Sequence, residues 1–367
     1  MYQAPLPVEY TAASEEELRS RILAAKSALG NRLVILGHHY QRDQIIEFAD
    51  FRGDSYKLAQ NARAHPEAQF IVFCGVHFMA ESADILTSAD QKVILPNMAA
   101  GCSMADMAGL FQVRSCWKQL TELGIEGVVP VTYINSAANL KGFVGEHGGI
   151  VCTSTNAPGA VEWALEQGEK VLFFPDQHLG RNTGVRLGFD YEVDMVVWDP
   201  FKPLGGNSAE DLRRAKFILW KGHCSVHKRF TVEQIERARA EYPGVTVVVH
   251  PECPLEVVQA ADMNGSTEFI LKVVTEAPAG SVWAVGTEIN LVKRLAIENP
   301  DKTVFCLDPE ICPCSTMYRI HPSFLCWVLE RLVAGEVVNQ VIVPEKTAEW
   351  ARVALERMLT IGQRVRD

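Results

Sequence analysis

Cys102, Cys224 and Cys314 each close a similar run of residues able to do chemistry. The first run opens on "RLVILGHHY", which ends in His38-His39-Tyr40. Ser55 follows His38 by 17 residues at the head of a helical pattern, and Cys102 follows Ser55 by 47. The last run opens on "VTVVVHPEC" with His250 and Glu252. Thr267 follows His250 by 17 residues, beside Ser266, and Cys314 follows Thr267 by 47. The middle run holds Tyr133 and Asn135 in "TYIN", Ser154 in "CTSTNAPGAVEWAL" and Cys224 in "KGHCSVH", at the wider spacings of 21 and 70 residues.

Three thiolates drawn from three such units suit an iron–sulfur cluster with one iron left open. An open iron is a Lewis acid for hydroxyl, carboxylate or carbonyl oxygen. Ser55, Ser154, Ser266 and Thr267 stand where loops enter helices, where hydroxyls and unpaired backbone N–H groups bind carboxylate or phosphate. His38, Tyr40, Tyr133 and His250 can move protons in the physiological range, Glu252 joins them if burial raises its pKa, and Asn135 can donate and accept hydrogen bonds. Plainer roles stand beside these: the hydroxyls as helix caps, and Cys74, Cys116, Cys152, Cys306 and Cys326 as small core hydrophobes. Cys253 and Cys312 stay open. "HCSVH" is also a zinc candidate, giving a hydrolase or lyase as rival; an iron–sulfur sensor or electron carrier without catalysis is another.

Positioning such groups needs a scaffold of short apolar strands alternating with helices. "FIVFCGVHF", "KVLFFPD", "SVWAVGTE" and "TVFCLDPE" are strands of this kind, and "AVEWALEQG" and "TVEQIERARAEY" are helices. The alternation predicts an α/β fold with parallel sheets, its ligands at the carboxyl ends of the strands. The repeated runs divide it into domains over 20–110, 111–226 and 227–324, with 325–367 packing against the first. Residues 179–214 read as a large loop insertion in the second.

The bulk properties fit an enzyme of small molecules. The chain has 367 residues, 48% of them hydrophobic, and a net charge of −10, which argues against nucleic acid or an anionic membrane as partner. No run of about 18 apolar residues spans a bilayer and no secretory signal opens the chain, so a cytoplasmic location is expected. In a reducing compartment ten cysteines are thiols, ligands or catalysts rather than bridges.

The series "GHHYQRDQIIEFADFRGDS", "GVHFMAES", "YINSAANLK", "FPDQHLG", "KGHCSVHKRFT", "HPECPLEV", "GTEINLV" and "CPCSTMYRI" resembles quinolinate synthases, the iron–sulfur enzymes of NAD biosynthesis. The resemblance implies three α/β domains around a pseudo-threefold axis. It implies a [4Fe–4S] cluster on Cys102, Cys224 and Cys314, with Cys314 chosen over Cys312 because it precedes Met317 by three residues. The activity implied is condensation of iminosuccinate (iminoaspartate) with dihydroxyacetone phosphate to quinolinate, phosphate and water, coupled functionally to an L-aspartate oxidase. Substrate contacts fall on His38, Ser55, Tyr133, Asn135, Ser154, His250, Glu252 and Thr267, with Tyr40 and Ser266 at pocket positions. Glu252, His250, Tyr133 and Tyr40 take the catalytic roles. Some relatives carry Cys-x-x-Cys before the last ligand; this chain has Cys-Pro-Cys.

Overall fold

Runs of Val, Ile, Leu and Phe flanked by Gly, Asp and Asn form the strands, because branched and aromatic side chains pack well on a pleated surface covered on both faces. The structure, a computed structural model, describes residues 2–308, 310 and 313–364. Among these the strands are β1 (Leu33–His38), β2 (Phe51–Gly53), β3 (Phe70–Cys74), β4 (Lys92–Ile94), β5 (Val128–Tyr133), β6 (Ile150–Cys152) and β7 (Lys170–Phe174). They continue with β8 (Met195–Trp198), β9 (Phe217–Trp220), β10 (Thr246–Val249), β11 (Met263–Asn264), β12 (Val282–Gly286), β13 (Thr303–Cys306) and β14 (Gln340–Val341).

The strands make three sheets that share one plan. Their orders are β14-β4-β3-β1-β2, β6-β5-β7-β9-β8 and β11-β10-β12-β13. In each, the strand that opens the repeat lies between the next two strands in sequence, and a fourth strand lies beyond the third. All pairs within that common core are parallel. The chain is thus α/β with parallel sheets, as the alternation predicts. The residues that open the repeats stand at equivalent points: His38 ends β1, Tyr133 ends β5 and His250 follows β10.

Two additions decorate the plan. β14 adds an antiparallel edge to the first sheet. Residues 179–214, read from sequence as a loop insertion, are instead built into the helix Gln177–Arg186, edge strand β8 parallel to β9, a short 3-10 turn and the helix Ala209–Arg214. The strand "MVVW" is only four residues long and the flanks are rich in Gly, Asp and Asn, so local pattern favoured a loop.

The chain divides into two compact units, Met1–Cys102 with Glu288–Arg294 and Cys312–Pro344, and Ser103–Thr287 with Leu295–Ile311 and Glu345–Asp367. In the first, the helices Glu15–Leu29 and Pro322–Val333 pack together. Each is held at its start by a side-chain cap, Ser14 accepting from Glu17 N–H and His321 from Ser323 N–H. In the second, the C-terminal helix Glu345–Arg364 lies along the helix Ala138–Glu146 and β6. That corrects the expectation for residues 345–364, which follows from two glycines. Gly142 and Gly145 carry no Cβ where the backbone of Thr347 and Trp350 passes; a Cβ on Gly145 would stand 1.9 Å from the Trp350 carbonyl oxygen. Trp198, Trp220, Phe173, Phe174 and Phe217 are fully buried in this unit. Each such burial is worth roughly 2–3 kcal/mol, enough to hold the strand ends rigidly. No helix among the described residues is long and apolar enough to cross a membrane.

Candidate active site

In the second unit, the ends of β5 and β10 bring Tyr133, His250 and Glu252 together with His227. The Tyr133 hydroxyl donates to Glu252 Oε1 at 2.6 Å, and His227 Nδ1 lies 2.7 Å from Glu252 Oε2. His227 Nε2 is 3.1 Å from Thr287 Oγ1, and the His250 ring stacks on His227 with centroids 4.3 Å apart. All four of Tyr133, His227, His250 and Glu252 are buried. Asn182 holds the turn from below, donating to the carbonyls of Pro251 and Cys253 at 2.8 Å each.

Burial by itself would raise the Glu252 carboxyl. The attraction of His227 and His250 and the hydrogen bonds from His227 and Tyr133 outweigh it, holding the group below the usual carboxylate range. Burial, then repulsion from His227, lowers His250 to about 3, so it is neutral at physiological pH. Glu252 therefore stays ionised and anchors these hydrogen bonds; the shift runs opposite to the raised pKa that a proton shuttle near neutral pH would need.

The further sequence candidates each lie within their own unit. Asn135 follows Tyr133, and its side-chain oxygen is buried with no hydrogen-bond partner, as an acceptor awaiting a donor would be. Ser266 caps the helix Thr267–Glu276, accepting from Phe269 N–H, and Thr267 is its first residue; both are buried. Ser154 is half-buried in the turn before the helix Ala157–Gln167. In the first unit, His38 and Tyr40 meet edge to face at 4.8 Å, and the Tyr40 N–H donates to His38 Nδ1. Ser55 is the first residue of the helix Ser55–Ala64; Asp54 supplies the cap, so the Ser55 hydroxyl is not used for it.

The three cysteines share one local fold. Cys102, Cys224 and Cys314 each stand half-buried outside any strand, followed by two turn residues and a one-turn 3-10 helix: Ala105–Met107, His227–Arg229 and Met317–Arg319. In two of them the turn closes alike, Lys228 N–H donating to the Cys224 carbonyl and Tyr318 N–H to that of Cys314. The other thiols differ. Cys74, Cys116, Cys152 and Cys253 are buried in strands, helices and core, and burial pushes each thiol well up, Cys74 to about 12. Cys326 is buried too and also reaches about 12. Such thiols stay protonated and make poor ligands. Cys306 is half-buried and lies 3.8 Å from the Thr287 carbonyl. Cys312 lies outside the described residues.

Comparison with known proteins places the chain in a family. The family model described as NadA, quinolinate synthetase A protein, matches residues 20–360. A quinolinate synthase of Corynebacterium glutamicum is 63% identical, covering 98% of this chain and 91% of its own. Those of Streptomyces coelicolor and a Nocardioides species are 58% and 56% identical, each over 97% of this chain. This chain belongs to the quinolinate synthase family.

A cofactor is expected in that family, and the residues present suit a metal centre. Cys224 Sγ, a His227 nitrogen and a Glu252 oxygen lie within 4.8 Å of one another. Since both His227 nitrogens already face Glu252 and Thr287, this trio forms a proton network before it forms a zinc site. The soft, half-buried thiols in matching turns are the donors that iron and sulfide favour. Sequence reasoning weighed His227 only beside Cys224, whereas its partner is Glu252. It also passed over Asp176, whose fully buried carboxylate caps the helix Gln177–Arg186, and Glu288, fully buried after β12. The signal for both was a lone acid in an apolar strand end.

Proposed function

We propose that this chain condenses iminosuccinate with dihydroxyacetone phosphate to give quinolinate, phosphate and water, using a [4Fe–4S] cluster on Cys102, Cys224 and Cys314. The observation that carries this reading is the repeated turn in which those three thiols, and no buried ones, stand ahead of a 3-10 helix. Held by these three thiols, such a cluster would supply Lewis acidity for the dehydration.

The chain's own residues do the rest. His38, Ser55 and Ser154 hold the two carboxylates of iminosuccinate, and the Asn135 side-chain oxygen accepts from its nitrogen. Ser266 and Thr267, at the start of the helix Thr267–Glu276, seat the phosphate ester, where the helix dipole favours negative charge. Glu252, kept ionised by His227 and Tyr133, orients the Tyr133 hydroxyl through Oε1. Tyr133 and Tyr40 orient the intermediate and return a proton to the departing hydroxyl. Neutral His250 assists proton movement during imine formation and ring closure. The burial of Tyr133, His227, His250 and Glu252 keeps bulk water from an imine that water would hydrolyse.

Protein purified without oxygen is expected to carry about four irons with acid-labile sulfide and to form quinolinate from fresh iminoaspartate and dihydroxyacetone phosphate. Cys224→Ala and Cys314→Ser should lose both cluster and product, while Cys116→Ala keeps the iron. One zinc per chain, or a full cluster without product, would overturn the reading.

A further inference from the structure

A chain of hydrogen bonds in the first unit ties the Cys314 turn to the loop carrying Tyr40. Glu288 follows β12 and is fully buried. Its Oε1 accepts from the Cys314 backbone N–H at 3.2 Å and from Asn290 Nδ2 at 3.1 Å, and its Oε2 accepts from Asn290 N–H at 2.8 Å. Asn290 Nδ2 also donates to the Tyr40 carbonyl at 3.2 Å. A buried carboxylate costs several kcal/mol unless donors surround it, and here one of the donors is the backbone of a proposed metal ligand.

Neither loop depends on this link for its shape. Arg294, one turn further along the helix Ile289–Glu298, already clamps the other side of the Tyr40 loop. It donates to the carbonyls of His39 and Gln41 at 3.0 and 2.7 Å and to Asp43 Oδ1 at 2.7 Å. The Cys314 turn closes on itself through Tyr318 N–H. Gln41 Nε2 to Met317 Sδ and Arg42 to the Tyr318 carbonyl join the two segments at their edges; Glu288 and Asn290 add a buried polar bridge that ends on the backbone of Cys314 and Tyr40 themselves, at a position where an apolar side chain would be cheaper.

We propose that Glu288 and Asn290 are positioning residues that transmit the state of the Cys314 turn to Tyr40. When Cys314 is held by a metal centre its N–H is fixed. Glu288 then has one orientation, Asn290 follows it, and the Tyr40 carbonyl is locked with its ring against His38. When Cys314 is released, Glu288 loses a donor and its hold on Asn290 loosens, while Arg294 and the His39 N–H bond to the Gly53 carbonyl still keep the Tyr40 loop in place. The proposal rests on the reading of Cys314 as a cluster ligand.

Hydrogen exchange on the full chain tests it, comparing cluster-free and anaerobically reconstituted protein. In the unsubstituted protein, loading should slow amide exchange in peptides covering both 313–319 and 38–43. In Asn290→Ala, and in Asn290→Ser as a second variant, iron and sulfide content and the slowing at 313–319 should persist. The slowing at 38–43 should shrink about ten-fold, as expected for loss of one hydrogen bond near a charged group. Turnover in these variants should fall with little change in KM, since Tyr40 is mispositioned rather than removed. Equal slowing at 38–43 with and without Asn290 would overturn the proposal. Absence of slowing at 313–319 in the unsubstituted protein would instead remove Cys314 as a ligand, and the coupling with it.

Discussion

His227 Nδ1 stands 2.7 Å from Glu252 Oε2 in a site where both side chains are buried. Bringing two ionisable groups out of water costs several kcal/mol, and their attraction seldom returns more than an apolar pair would give. The pair is better explained by what it does to Glu252, which it keeps charged and oriented toward Tyr133. Glu252→Gln preserves the shape and removes the charge. It should lower kcat by roughly 10²–10⁴ while leaving iron content intact. Steady-state rates with metal analysis on the same sample check this; a rate within about two-fold of the unsubstituted enzyme would contradict it.

His178 makes the fold sensitive to mild acid. Burial, followed by repulsion from Arg181, lowers its pKa from the ordinary 6.5 to about 4. The folded state therefore disfavours the charged form. Its contribution is complete above the unfolded value near 6.5 and is lost as pH falls from there toward 4. Between about pH 7.5 and pH 5 the loss amounts to about 2 kcal/mol. The urea midpoint should fall across that range and fall less in His178→Gln. An equal fall in both proteins would assign the acid sensitivity elsewhere.

Asp176 should serve its helix without needing its charge. Its Oδ1 accepts from the N–H groups of His178 and Leu179, while Oδ2 is buried without a partner. Burial, and then repulsion from Glu252, raise its pKa well above the usual carboxylate range. Asn keeps the Oδ1 cap and removes the charge. Asp176→Asn should change stability by less than about 0.5 kcal/mol, whereas Asp176→Ala loses the cap and should cost about 1–2 kcal/mol. Denaturant melts of the two variants decide it, and a large loss in Asp176→Asn would mean that the charge is needed.

The legible parts of this protein were those that repeat. His38, Tyr133 and His250 could be aligned because each ends the same strand of a recurring unit, and Cys314 was found by a spacing it shares with Cys102. Pairings across sequence were not legible. His227 and Glu252 are 25 residues apart and carry no joint pattern. Glu288 reaches Cys314 over 26 residues by a backbone bond, which leaves no side-chain signature. β8 was missed because four residues are too few to outweigh glycine-rich flanks. The seat of the C-terminal helix was missed because two glycines in "LKGFVGEH" mark a close approach only when the partner is known.

Those glycines give a test in which two effects oppose. In an exposed helix, Gly→Ala stabilises by about 1 kcal/mol. At Gly145 the added Cβ would meet the Trp350 carbonyl oxygen at 1.9 Å, so the two helices must separate, at a cost of roughly 3 kcal/mol. The net effect of Gly145→Ala should be destabilisation by about 2 kcal/mol or more. At Gly142 the nearest atom is the Thr347 carbonyl oxygen at 3.3 Å, so Gly142→Ala should be close to neutral. The helix Ala138–Glu146 also begins just after the Tyr133–Asn135 turn, and Lys141, buried within it, donates to the Ser136 carbonyl. A shift of this helix therefore reaches the active face. Gly145→Ala should lower kcat as well as the melting temperature, and Gly142→Ala should lower neither. A melting temperature for Gly145→Ala at or above that of the unsubstituted protein would show that the C-terminal helix is not seated where the two glycines place it.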